Sequence, residues 1–282
     1  MNDIVLLPRF SRKVELHLVS CYSNAPRWPI ILGIFGRSGD GKSVQLTAAL
    51  QKCNVEIIRL NAADLESGLA GEPGKHIART YSVASLAINK EIPTALIVDD
   101  VDTTVGEWEM NTGTVNHQQV LAELMHLADE PVDKVRNFPC RVPVFLTGNN
   151  LRRLYPPLRR PGRMDTFVWR PDPLEVREVA AAIFADLSDA GTINRLISEF
   201  AGEPLAFFGQ VRRALLQLEM SEYLSDGGYD MKNYLRRSRG NPHNGRRRRV
   251  MEHELVQAAR DAHAQYQAAL EDFLADGGRS AR

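Results

Sequence analysis

The chain has 282 residues, 44% of them hydrophobic, and its 35 acidic side chains balance 35 basic ones. A chain of this size makes about two domains. The charge balance excludes a globally basic nucleic-acid binder while leaving room for a local patch. No apolar run is long enough to cross a bilayer, and the start Met1-Asn2-Asp3-Ile4-Val5-Leu6-Leu7-Pro8 has neither a basic n-region nor a cleavage site, so a cytoplasmic location off the membrane is expected.

Residues 1–29 are expected to form an N-terminal segment and linker. Within it, Phe10 to Val19 is amphipathic and admits either a helix or a strand, and Asn24-Ala25-Pro26-Arg27-Trp28-Pro29 closes it as a linker. The apolar run Ile30 to Phe35 then reads as a buried strand. It leads into Gly36-Arg37-Ser38-Gly39-Asp40-Gly41-Lys42-Ser43, which opens a helix over Val44 to Leu50. Strand, glycine loop and helix in that order make a Walker A phosphate loop. Backbone N–H groups from Gly36, Ser38, Gly39, Asp40 and Gly41 would converge on phosphate oxygens. Lys42 would reach the terminal phosphates, and Ser43 would ligate Mg²⁺. The expected ligand is ATP or a related triphosphate.

Further along, Ile57 and Ile58 mark a second strand, and Pro73 suits the first turn of a helix running to about Ile88. Thr94 to Val98 is an apolar third strand ending in Asp99-Asp100-Val101-Asp102, the Walker B arrangement. There Asp99 would hold Mg²⁺ through its water shell and Asp100 would polarise the attacking water. Asp100 is shorter than the usual Glu by one methylene, so turnover is expected to be slow or to need a tighter site. A helix from Val115 follows, then a fourth strand over Val142 to Thr147 and a fifth over Phe167 to Trp169. Asn149, just past the fourth strand, suits a hydrogen bond between the attacking water and the γ-phosphate. Arg160 and Arg163 flank a Pro-Gly turn, from which they would project as arginine fingers into a neighbouring subunit's site.

The alternation of strands and helices over residues 30–170 implies a mostly parallel, three-layer α/β domain with its site at the carboxyl ends of the strands. From Pro171 the pattern is helical, so residues 171–282 are expected to form a small lid domain. Its helices are placed from Asp172-Pro173 to Phe184, from a Thr192 cap to Phe200, from Gly209 to about Leu224, and from Val250 to Leu274. Arg212, early in the third, would bring the lid onto the γ-phosphate. Arg236 to Arg249 crowd one loop, suited to nucleic-acid phosphates or an acidic protein surface, or simply to solvent. Cys21, Cys53 and Cys140 pair with nothing in sequence and read as small buried residues. The histidines at 243, 253 and 263 are too widely spaced for a helical metal site.

The whole set resembles the AAA+ ATPases and, within them, the Rubisco activase family. The likeness rests on Asp64-Leu65-Glu66-Ser67-Gly68-Leu69-Ala70-Gly71-Glu72-Pro73, Thr114-Val115-Asn116, Leu127-Ala128-Asp129, Arg141-Val142-Pro143, Thr147-Gly148-Asn149, Gly162-Arg163-Met164 and Phe207-Phe208-Gly209. It implies a homo-oligomeric, hexameric ring with ATP and Mg²⁺ between subunits. It also implies remodelling of a protein client, Rubisco, to release inhibitory sugar phosphates. Glu66 to Gly71 would be the first pore loop and Thr103 to Gly113 part of the second, with Leu69, Trp108 and Met110 gripping the client. The second loop departs from the family in having few glycines, and Ala214 stands where activases have a second arginine. Without the long N-terminal extension or the small-subunit-like module of some activases, the chain is expected to be close to a bare motor. Two other readings stay open: a nucleic-acid-associated AAA+ protein using the arginine loop, and a nucleotide-gated scaffold with little turnover.

Overall fold

Strand β1 (Ile31–Phe35) is buried at every position, as are β3 (Thr94–Val98) and β4 (Val144–Gly148). Strands that are apolar on both faces belong in the middle of a parallel sheet covered on both sides. In the computed structural model, which describes residues 4–60, 72–104, 115–225 and 250–277, they take that place. The order is β2-β3-β4-β1-β5, with every pairing parallel. The edges go to β2 (Glu56–Leu60) and β5 (Met164–Val168), both partly exposed.

The chain falls into two compact units, Leu6–Arg170 and a second made of the first five residues with Pro171–Arg282. In the first, helix α1 (Pro8–Tyr22) packs against α2 (Lys42–Lys52), and α3 (Glu72–Asn89) packs against α5 (Val115–Asp129). The short α4 (Val101–Thr104) follows β3. The segment that admitted either helix or strand is thus α1, because Leu7, Phe10, Val14, Leu18 and Cys21 are buried at three- and four-residue intervals. His17 is buried among them. Its Nε2 donates to the Ile30 carbonyl at 3.0 Å, its Nδ1 accepts from Trp28 Nε1 at 3.4 Å, and burial pushes its pKa down to about 4.

The fourth and fifth strands depart most from the expected bounds. The fourth strand starts at Val144, after Pro143, whose ring nitrogen has no hydrogen to give. The fifth starts three residues early, at Met164: its Asp165 and Thr166 are tolerated on an edge, where Asp165 meets Lys13 Nζ at 2.6 Å.

In the helical unit, α6 (Pro173–Phe184) begins with Asp172 and Glu175 forming a reciprocal capping box. Helix α7 (Ala190–Glu199) is capped by Asp189 rather than Thr192. The carboxylate of Asp189 accepts from the Gly191 and Thr192 backbone N–H groups at 2.8 and 3.1 Å, and the Thr192 hydroxyl donates back to it. Helix α8 (Leu205–Ser225) starts directly after Pro204, so Gly209 and Arg212 lie inside it. Helix α9 (Glu252–Gly277) packs on α7 and α8, burying Leu255, Ala259 and Ala262 with Phe184, Phe207 and Phe208.

Candidate active site

The loop from Gly36 to Ser43 leaves the carboxyl end of β1 with Gly39 and Gly41 at φ 83° and 78°, the left-handed region where a side chain is strained. Its base is held by Trp169, the residue after β5. The Trp169 backbone N–H donates to the Phe35 carbonyl at 2.6 Å, and its indole N–H donates to the Asp40 carbonyl at 2.8 Å. A Cβ on Gly36 would lie 2.1 Å from the Trp169 carbonyl oxygen, so glycine is required there for close approach. The indole is in turn fully buried, with Phe10 edge-on at 4.9 Å and the Arg9 guanidinium over it at 4.6 Å. Asp40 is buried with its carboxylate 3.2 Å from Arg37, while Ser38 is exposed.

Lys42 is 7% exposed. Its ammonium donates to the carbonyls of Gly36 and Arg37 at 2.8 and 3.1 Å and to Oδ1 of Asn149 at 2.9 Å. Burial pulls its pKa below the usual lysine value, opposed by Asp40, Asp100 and Asp102. Asn149 is placed by Asp102. That buried carboxylate accepts from the Asn149 N–H at 3.1 and 3.0 Å and from the Asn150 N–H at 2.8 Å. Gly148, the last residue of β4, has no room for a side chain, since a Cβ would meet Asp102 Oδ1 and the Phe35 ring at 2.7 Å.

On the other side of Lys42, the Ser43 hydroxyl donates to Asp99 Oδ1 at 3.3 Å, and the Thr147 hydroxyl donates to the same oxygen at 2.8 Å. Asp99 Oδ2 is taken by Arg59 Nη1, whose Nη2 donates to Thr47 Oγ1 at 2.8 Å. A hydroxyl and a carboxylate oxygen converging at the start of α2 are the hard donors that suit Mg²⁺. Asp100 follows at φ 49°, with its N–H donating to Thr147 Oγ1 at 3.2 Å. Its carboxyl pKa is raised, first by partial burial and then by Asp99 and Asp102, with Lys42 opposing. A raised carboxyl pKa is the direction a general base at neutral pH needs.

Lys42, Ser43, Asp99, Asp100 and Asn149 are therefore brought together at the carboxyl rim of the sheet. Arg163 is not free to project as a finger: its Nε and Nη2 grip Asp129 at 2.7 and 2.6 Å, and Nη1 donates to the Pro157 carbonyl at 3.2 Å. A planar fork next to a carboxylate forms two such parallel bonds. Arg160, three residues earlier on the turn, is exposed. In the helical unit, Arg212 forks Asp186 at 2.7 and 2.9 Å and donates to the Ile183 carbonyl. Leu69, Trp108, Met110 and the arginines from Arg236 to Arg249 lie outside the described residues. Asp102, Thr147, Arg59 and Trp169 were not singled out from the sequence. The third acid of the Asp99-Asp100-Val101-Asp102 run and a lone arginine in an apolar strand were the available signals.

Residues 32–172 match the family described as ATPase family associated with various cellular activities (AAA). The chain belongs to the AAA ATPase family. Curated relatives of this AAA ATPase include the chloroplastic ribulose bisphosphate carboxylase/oxygenase activases of Spinacia oleracea, 34% identical over 240 residues, and of Chlamydomonas reinhardtii, 35% identical over 240 residues. A third is activase 1 of Nicotiana tabacum, 34% identical over 242 residues. The alignments take in 81% or 82% of this chain but only 51%, 59% and 54% of those three proteins in turn, so the chain spans just over half their length. Those relatives are named as chloroplastic, a different compartment from the cytosol expected above. Among the described residues, no helix is long and apolar enough to cross a membrane.

Proposed function

We propose that this AAA ATPase is an activase-type motor that turns over ATP in a ring and remodels a protein client, Rubisco. The observation that carries the chemical half is the convergence of Lys42 with Asn149 on one side and of Ser43 with Asp99 on the other. A cation for the terminal phosphates, an amide beside it and a hydroxyl–carboxylate pair thus stand on one rim. The identity to activases over 81% or more of the chain supports the client.

In this reading Lys42 and the loop N–H groups bind the phosphates, and Asp102 holds Asn149 so that its side chain aligns the attacking water. Asp100 accepts that water's proton. Ser43 and Asp99 hold Mg²⁺, which when bound neutralises charge on the phosphate oxygens. Arg160, exposed on its turn, serves the neighbouring subunit, and Arg163 keeps that turn in place through Asp129. Leu69, Trp108 and Met110 grip the client.

The test is to incubate the protein with ATP and Rubisco inhibited by a tightly bound sugar phosphate, and to follow recovery of carboxylation. ATP-dependent recovery that disappears with Asp100→Asn is the expected result. ATPase activity without any recovery would retain the motor and reject Rubisco as its client. A nucleic-acid-stimulated rate would then point to the arginines at 236–249.

A further inference from the structure

Asp99 has two carboxylate oxygens, and the structure spends them differently. Oδ1 accepts from the Ser43 and Thr147 hydroxyls, while Oδ2 is held by the guanidinium of Arg59. Arg59 lies on β2, one position before the last residue of the strand, and its other Nη donates to Thr47, whose hydroxyl donates to the Ser43 carbonyl at 2.7 Å. Ser43, Thr47, Arg59 and Asp99 thus close a ring of hydrogen bonds that ties β2 to the first turn of α2 and to the end of β3.

We propose that Arg59 sets how tightly the site holds Mg²⁺, by drawing off one oxygen and part of the negative charge of Asp99. The inference rests on the reading of Ser43 and Asp99 as the metal-holding pair. Two effects of Arg59 compete. The fork orients the carboxylate, which favours the metal. Its fixed positive charge, bonded to the same carboxylate, opposes a divalent cation. The orienting effect is duplicated, because the Ser43 and Thr147 hydroxyls hold Oδ1 without Arg59. The charge effect is not duplicated, and it is weakly screened, since the side chains of Arg59 and Asp99 are 32% and 16% exposed. The charge effect therefore prevails, and Arg59 keeps the metal loosely bound so that it can leave with the spent nucleotide. Arg59 is a positioning residue in this scheme, acting through Asp99.

The test uses the full-length protein and a fluorescent ADP analogue, with Mg²⁺ titrated from chelator-buffered zero upward. The readouts are the Mg²⁺ concentration at half-maximal enhancement of nucleotide binding and the nucleotide affinity in chelator alone. Arg59→Gln, which keeps a donor but loses the charge, is expected to lower the half-saturating Mg²⁺ about tenfold. Affinity in chelator should change far less, and Arg59→Lys should stay near the wild type. A purely structural bridge would instead weaken binding in chelator and Mg²⁺ alike. An unchanged or raised half-saturation in Arg59→Gln overturns the proposal. If that variant is unfolded by circular dichroism, Arg59→Met, which keeps the aliphatic stem without the charge, takes its place. It should lower the half-saturation by a similar factor, and no change there would also overturn the proposal. Nucleotide binding by the wild type that ignores Mg²⁺ would refute the metal pair itself and the inference with it.

Discussion

Arg163, on the turn before β5, and Asp129, at the end of α5, are joined by two parallel hydrogen bonds of 2.7 and 2.6 Å. An arginine so engaged is a fastener for the turn that carries the exposed Arg160. The two arginines, three residues apart, should therefore fail differently. Arg163→Ala and Asp129→Ala should each lower the ATPase rate by a similar factor, and the double variant should lose no more than the worse single one, because one bond is being removed twice. Steady-state rates for the three variants check this. Arg160→Ala should stop hydrolysis without changing the thermal midpoint.

Mixing decides whether the site is shared between subunits. Asp100→Asn should lower kcat by roughly 10²–10⁴-fold, the usual worth of a positioned base. Nucleotide affinity should remain, as measured by a fluorescent analogue. Combined with Arg160→Ala subunits it should regain part of the wild-type rate, since each variant lacks a different half. Activity that stays at the sum of the two separate variants would place Arg160 outside its neighbour's site.

Asp102 should prove to be both structural and functional. It is buried, and its carboxylate serves three N–H contacts to Asn149 and Asn150. Asp102→Ala leaves those donors unpaired, at a cost of about 1–3 kcal/mol. It also loosens the backbone that aims Asn149 at Lys42. Urea unfolding should show the loss of stability, and kcat should fall more than nucleotide affinity.

His17 gives the fold an acid sensitivity of its own. Burial lowers its pKa from 6.5 unfolded to about 4 folded. The unfolded chain therefore binds the proton first as pH falls. The destabilisation begins near pH 6.5, grows downward and levels off below about pH 4, reaching a few kcal/mol. His17→Gln, which can still donate to the Ile30 carbonyl, should flatten the stability profile between pH 4 and 6.5. Chemical denaturation at several pH values, wild type against variant, measures it.

What the sequence made legible follows from where the physics is local. Strands β1, β3 and β4 are apolar at nearly every position because both faces are covered, so their runs stand out, and the phosphate loop declares itself through its glycines. Strand β5 was displaced because an edge tolerates Asp165 and Thr166, which break the apolar pattern. Helix α8 starts ahead of Gly209, which reads as a breaker in the sequence, because the space beside that glycine is open and the helix begins directly after Pro204. The contacts of Asp102 with Asn149, of Thr147 with Asp99 and of Arg59 with Asp99 join residues 47, 48 and 40 positions apart, so no short window of sequence contains them. The bond between Arg163 and Asp129 likewise spans 34 positions.

The strand order β2-β3-β4-β1-β5 seats β1 beside β4, and so Lys42 beside Asn149, 107 positions later in the chain. No partly folded form with β4 undocked can offer the pair to a ligand. Loop closure over that distance is slow and late in folding. Nucleotide should accordingly leave the early folding steps untouched and act as a lock on the finished sheet, raising the apparent thermal midpoint in proportion to the logarithm of its concentration.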